Sequence, residues 1–476
     1  MTRTTANEAM MTLNQAALML PAARLIGRGD VSFARVHTDS RSIMQGDLFV
    51  ALTGDRFDGN QFLIEARKSG AVAVICESSQ ALALSGLSGL VVSNARQALA
   101  TLAGAWRGQF KLPLIAVTGS NGKTTVTQMI ASILRAHQPA AMLATEGNFN
   151  NDIGVPLTLL RLRPHHRVAV VELGMNHPGE IALLAAIAQP TIALVNNAQR
   201  EHLEFMASVE AVARENGAVL TAMSNKAIAV FPQDDDFSGL WRDMAASRAC
   251  LTFSDAPKSA DVDIQCMTAD WQAGSWHMQV KAPVGALEFK LHIAGRHNVK
   301  NALAAITCAL AAGIPLAAVA AGMENFEPVK GRSRSLEGVV ANHHFVLVDD
   351  TYNANPDSVK AAIEVLATLA PPRLLVLGDM GEVGESGPQF HAEAGVLAQS
   401  AGLEGLYTLG ELSSRASAEH ANGRHFNDIE RLNQALLEGV SHFNSVLVKG
   451  SRFMRMERVV NALQAGGEKK TESACS

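Results

Sequence analysis

The segment that most restricts what this chain can fold into is Thr118-Gly119-Ser120-Asn121-Gly122-Lys123-Thr124-Thr125. It follows a short apolar run, residues 114–117. It precedes a stretch in which Val126, Met129, Ile130, Ile133 and Leu134 recur at the spacing of one helix face. Strand, glycine-bearing turn and helix, in that order, make a phosphate loop. Gly119 and Gly122 let backbone N–H groups turn toward phosphate oxygens, and the helix N-terminus adds partial positive charge. Lys123 can bridge β- and γ-phosphates, and the Thr124 hydroxyl can ligate Mg²⁺. The usual spacing wants a further glycine where Val117 stands, so the loop is a shortened variant.

The rest of the pattern places this loop in an α/β protein of three domains. Apolar runs at 168–173 and 191–195 alternate with helical stretches, which implies a parallel sheet with right-handed crossovers. Residues 271–292 alternate less regularly and are expected as an antiparallel extension. An Ala-rich helix at 299–312 closes this central, phosphate-loop domain, 113–328. Before it, apolar runs at 47–52, 71–76 and 89–92 indicate a small α/β domain, 1–112. After it, 329–476 carries runs at 345–348, 374–377 and 445–448, three strands of a Rossmann-like sheet. Asn355-Pro356 reads there as the N-cap and first position of a helix reaching 369. Asp234 to Asp236 reads as a solvated loop and 466–476 as a polar tail.

Composition excludes some classes of function. A net charge of −5 gives no basic surface for nucleic acid. Five scattered cysteines without metal-type spacing fit reduced thiols in the cytoplasm. No apolar run reaches about 18 residues, so no membrane span is expected, and the first twenty residues lack a secretion signal.

Several polar residues stand where parallel sheets bind ligands, at the C-terminal ends of strands. Glu172 ends the run Val168 to Leu173 and is placed to hold Mg²⁺. His202 follows the run 191–195; two readings are open for it, a structural hydrogen-bonding residue or a metal ligand. Asp349-Asp350-Thr351-Tyr352-Asn353-Ala354-Asn355-Pro356 reads as a polar loop after a strand of the third domain. Arg332, in Gly331-Arg332, is either a solvated arginine or a group reaching phosphates when domains close. Lys449 and Arg452 offer a cationic site for an acidic substrate group.

Taken together, the phosphate loop, Glu172, His202, Gly295-Arg296-His297-Asn298 with Asn301-Ala302, Gly331-Arg332 and the Asp350 to Pro356 segment resemble the Mur ligases. Further segments narrow the resemblance to the members that add a dipeptide. These are Gly147-Asn148-Phe149-Asn150-Asn151-Asp152-Ile153-Gly154-Val155-Pro156, Glu172-Leu173-Gly174-Met175-Asn176-His177-Pro178-Gly179-Glu180 and Gly378-Asp379-Met380-Gly381-Glu382-Val383-Gly384.

The resemblance implies a monomeric, cytoplasmic, ATP- and Mg²⁺-dependent ligase of peptidoglycan synthesis, serving cell shape and division. It would join D-alanyl-D-alanine to UDP-N-acetylmuramoyl-tripeptide through an acyl phosphate, with no nucleic-acid partner. Another Mur step or a folylpolyglutamate-type ligase is the alternative. The domains would then hold the UDP-sugar peptide, ATP and the incoming amine. Lys123, Glu172 and His202 would be catalytic, the last two binding metal with Thr124. Thr118 to Thr125, Asn298, Arg332 and Asp350 would hold the nucleotide. Asp39-Ser40-Arg41 and Phe49-Val50-Ala51-Leu52 would hold uridine diphosphate. Asn150, Asn151, Tyr352, Asn353, Asn355, Lys449 and Arg452 would meet substrates.

In one respect the chain departs from that pattern. Several Mur ligases carry a lysine whose carbamate ligates a second Mg²⁺. Counted from His202 without a gap, that position holds Asn216, a neutral amide, with Glu215 the nearest anion that could substitute.

Overall fold

A computed structural model of the chain describes residues 9–256 and 261–468. Three larger sheets organise it. The first lies in order Arg24–Ile26, Ser88–Val91, Ala73–Cys76, Asp47–Val50, Arg35–His37; only its edge strand Arg24–Ile26 pairs antiparallel. Its strand residues from Asp47 to Val50 and from Ala73 to Cys76 are all buried, because helices cover both faces of a parallel sheet.

The second sheet has nine strands. Met142–Ala144, Val168–Glu172, Leu114–Thr118, Ile192–Val195, Ile228–Pro232, Ala249–Ser254 and Ile264–Gln272 run parallel. Ser275–Ala282 and Gly285–Leu291 complete it as the expected antiparallel extension. Val117 pairs with Glu172 and Thr118 with Val195, so three strand ends open at one rim. The helix Lys123–His137 rises from that rim. Its N-cap Gly122 has φ +82°, and a Cβ there would lie 2.5 Å from Asn301 Oδ1, so the position requires glycine twice over.

The third sheet runs Arg334–Val340, His343–Asp350, Ser445–Lys449, Arg373–Gly378, Gly405–Leu409, Gly423–Phe426. It is parallel apart from the first pairing. Asn355 caps Pro356–Ala367, accepting from Ser358 N–H while Ser358 Oγ takes the Asn355 N–H.

Some expectations are corrected here. Asp349 and Asp350 end their strand, as expected, and the polar loop begins only at Thr351. Asp349 accepts from Gly331 N–H and the Thr351 hydroxyl, and Asp350 pairs with Lys449, so both carboxylates are satisfied at the strand's C-terminal end. Asp234 to Asp236 is not simply solvated: Asp234 meets Lys300 at 2.7 Å and the Ser254 hydroxyl at 3.1 Å, and burial raises the Asp235 pKa. The expected tail is helical as far as Glu468; its residues 469–476, with Cys475, lie outside the described residues. Among the described residues no helix is long and apolar enough to cross a membrane.

Candidate active site

The phosphate loop and the C-terminal ends of the third sheet face each other across one cleft of about 810 Å³. On the central side the loop is anchored by neighbours distant in sequence. Asn216, wholly buried, accepts the Gly119 N–H through Oδ1 at 2.9 Å and the Thr118 hydroxyl through its carbonyl at 3.2 Å. Asn197 and Gln199 hold Asn121, and Ser120 Oγ accepts the Gln199 N–H. Lys123 Nζ donates to the Gly119 and Ser120 carbonyls and stands 3.5 Å from Glu201.

The Thr124 hydroxyl donates to Glu172 Oε1 at 3.2 Å, and Asn150 Nδ2 donates to the same oxygen at 2.8 Å. Thr145 Oγ1 accepts the Glu172 N–H, which locks the strand end. Glu172 Oε2 is buried with no hydrogen-bond partner. An orphaned carboxylate oxygen beside the Thr124 hydroxyl is a donor set suited to a hard cation such as Mg²⁺. Among the described residues no three His, Cys, Asp or Glu side chains converge as a metal cage. The expected trio therefore divides. Thr124 and Glu172 form one pair; His202 stands beside Glu201, Nε2 to Oε2 3.8 Å, in the same cleft.

The opposite wall comes from the third sheet. Arg332 Nη2 donates to Thr124 Oγ1 at 3.1 Å, and its guanidinium lies 3.8 Å from the Tyr352 ring centre. Asn355 and Asn121 exchange amide hydrogen bonds at 3.0 and 3.3 Å. Arg200 reaches from the central domain to Asp357, at 2.8 Å, and Glu393, at 3.2 Å. Asp350 and Lys449 are register partners in adjacent strands and meet at 2.6 Å. Burial works against the Asp350 carboxylate, but the Lys449 ammonium holds its pKa below the usual range, with Arg332 helping.

This alters the reading of the cationic site. Lys449 is nearly buried, donates also to the Asn353 carbonyl, and has its charge matched by Asp350. Arg452 remains on the cleft, with its guanidinium near Glu457 and the Tyr352 ring.

The other expected residues are placed as follows. Asn298 lines the cleft; its amide donates to the Ala294 carbonyl and its Oδ1 accepts from Asn301. Asn151 also lines it, its Oδ1 capping the turn at Ile153 and Gly154. Asn353 and Thr125 lie on it too. Ser40 and Arg41 are outside it: Arg41 is exposed and folded back on Asp39, whose pKa its guanidinium lowers to about 2. Phe49, Val50, Ala51 and Leu52 are buried core residues, so their side chains are not free to touch a nucleotide. Glu215, the anion nearest Asn216 in the sequence, is already engaged. Its carboxylate accepts the Gly179 and Ile181 N–H groups at the start of Glu180–Ala188.

Sequence reading passed over Glu201 and Asn196, and gave Asn301 and Glu382 no role. Asn196 Nδ2 donates to Asn121 O and Asn301 Oδ1, tying the loop to the helix Arg296–Ala311. Glu201, next to His202, was the one with a signal, an acid in a loop after a strand.

Three comparisons bear on this arrangement. The Mur ligase middle domain matches residues 117–309, the Mur ligase glutamate ligase domain 331–452, and the Mur ligase family catalytic domain 32–107. The UDP-N-acetylmuramoyl-tripeptide–D-alanyl-D-alanine ligase of Escherichia coli is 38% identical over 442 residues, 92% of this chain and 95% of that protein. A crystal structure of MurF from Acinetobacter baumannii superposes with TM-score 0.86 at 33% identity, covering 95% of this chain and 98% of that one. MurF ligase from Thermotoga maritima in complex with ADP gives 0.77 at 28% identity, over 92% and 98%.

Proposed function

The chain belongs to the Mur ligase family and is an ATP-dependent ligase, and we propose that it joins D-alanyl-D-alanine to UDP-N-acetylmuramoyl-tripeptide in the cytoplasm, as a monomer. The observation that carries this reading is the cleft, where a phosphate loop faces a wall of arginine, tyrosine and amide side chains from a separate domain. A separate domain that can hold an amine beside the phosphate loop favours a ligase over a hydrolase, whose acceptor is water.

The reaction sets a carboxylate against a γ-phosphate, anion against anion. Mg²⁺ at Thr124 and Glu172, with His202 beside Glu201, would supply the positive charge that neutralises the phosphates. Lys123, the loop N–H groups and the helix N-terminus would hold the phosphate chain. Arg332, stacked on Tyr352, would close over the nucleotide from the far side. The bond from the β-bridging oxygen to the γ-phosphorus breaks as the carboxylate oxygen takes the phosphoryl group, giving ADP and an acyl phosphate. The amine of the dipeptide then attacks the acyl carbon and phosphate leaves. Water would destroy the acyl phosphate, so the shut cleft protects it.

Residues 1–112 would hold the UDP-sugar end, with Ser40 and Arg41 contributing; 113–328 would hold ATP, and 329–476 the dipeptide. Asn150, Asn151, Tyr352, Asn353, Asn355 and Arg452 would line the path of the reacting groups, and Asn298 would face the base. ADP release with the UDP-linked tripeptide tests the reading, with D-alanyl-D-alanine compared against single amino acids and glutamate. Release that requires both the tripeptide and the dipeptide is expected. Rapid hydrolysis with neither present would reject it.

A further inference from the structure

His202 is held from an unexpected side. Its Nδ1 lies 2.6 Å from Glu382 Oε2, a residue of the C-terminal domain 180 positions further along the chain. Both residues have left-handed backbones, φ +49° and φ +58°, though neither is glycine. Side chains rarely adopt that conformation, and it persists where surrounding structure over-determines it. A second bond crosses at the same point, from Glu204 N–H to the Glu382 carbonyl at 3.4 Å.

The loop carrying Glu382 is itself fixed. Asp379 accepts the N–H groups of Glu411, Leu412 and Ser413; His391 accepts the Met380 N–H, and Ser451 Oγ accepts that of Gly381. The carboxylate is therefore aimed by its own domain. On the other edge of the imidazole, Nε2 faces Glu201 Oε2, the same oxygen that faces Lys123 Nζ. Nδ1 is buried, yet its N–H is not in line with the Glu382 oxygen.

The chain crosses once from the central to the C-terminal domain, between Glu324 and Arg334. The contact therefore joins two domains that a single stretch of chain connects. We propose that Glu382 is a positioning residue which reaches across the cleft to hold His202 by Nδ1, so that Nε2 is turned toward the Lys123–Glu201 side, and toward a bound metal, only on domain closure. A carboxylate on the far nitrogen of a ligating histidine fixes its tautomer and ring orientation. Here that partner would come from the moving domain, so the site would not be complete until both substrates are enclosed. The inference rests on the ligase reading for what closes the cleft.

The test uses Mn²⁺ as the probe on the full chain with a non-hydrolysable ATP analogue, with and without UDP-linked tripeptide. Glu382→Ala is expected to weaken Mn²⁺ binding by about 10- to 100-fold when both ligands are present. Its kcat should fall by a similar factor while KM for ATP stays within about threefold. Without the tripeptide, variant and parent should bind Mn²⁺ alike. Glu382→Gln, whose amide oxygen still accepts, should recover most of the loss. Glu385→Ala, exposed in the same loop, gives the baseline. Unchanged thermal midpoints and scattering profiles matching the liganded parent complete the expected result. Mn²⁺ affinity within about threefold of the parent would overturn the proposal. So would failure of the Glu382→Ala protein to close, which would make the contact only a clasp. Mn²⁺ binding is read without turnover, so a parent that releases no ADP with both substrates defeats the ligase reading separately.

Discussion

The two walls of the cleft are built on different terms. On the central wall, His202 apart, the functional groups have partners in their own domain: Asn216 in Gly119, Glu172 in Thr124, Asn150 and Thr145, Asn121 in Asn197 and Gln199. On the C-terminal wall the Asp350–Lys449 pair and the loop around Asp379 are self-contained. Arg332, Asn355, Asp357 and Glu382 take partners from across the cleft. One wall is preorganised for phosphate; the other is completed by contact. A wall that borrows its partners is the one free to move, which suits an enzyme that must admit two large substrates and then exclude water.

The comparison can be broken by experiment. The largest effect is expected on the self-contained part of the mobile wall. Asp350→Asn leaves Lys449 buried without a counter-charge, and should lower unfolding free energy by about 3–5 kcal/mol. Denaturant midpoints check this; a loss no larger than that of an exposed ion pair would mean the pair does not anchor the wall. The sign with pH follows from the lowered Asp350 pKa. The pair's contribution is whole above the unfolded carboxyl value of about 3.9 and is lost as pH falls through it toward the folded value.

Next comes the preorganised wall. Lys123→Ala should keep the fold and cut ADP release by roughly 10²- to 10³-fold, the loss typical of one preorganised transition-state contact. A folded variant turning over at nearly the parent rate would remove the phosphate-loop assignment.

Arg200 tests the borrowed contacts. It is partly exposed, so its links to Asp357 and Glu393 are discounted for screening. Arg200→Ala should shift closure by about 1 kcal/mol, roughly fivefold toward the open form. Scattering should show the parent compacting with ATP analogue and UDP substrate, and the variant needing more ligand to do so. Coincident profiles for the parent with and without ligands would deny that this wall moves.

The smallest effect is expected at Asn216, where no carbamate can form. Turnover in CO₂-depleted buffer should be unaffected by added bicarbonate. A reversible activation of several-fold would place a carbamylated lysine elsewhere in the cleft.

What the sequence by itself determined was local. The phosphate loop is legible because glycine, lysine and threonine must follow one another between a buried strand and a helix, and each residue's reason lies within eight positions. The antiparallel extension and the Asn355-Pro356 helix start were legible for the same reason. The tertiary structure decided the pairings. Asn121 meets Asn355 across 234 residues and Asp350 meets Lys449 across 99, while Asn216, isolated in its helix, becomes an anchor of the loop. Periodicity says which face of an element is buried, but not which strand will lie beside it. Strand order alone brings Lys449 against Asp350, turning an apparently free cation into half of a buried pair, and only the seating of one domain on another brings Glu382 to His202.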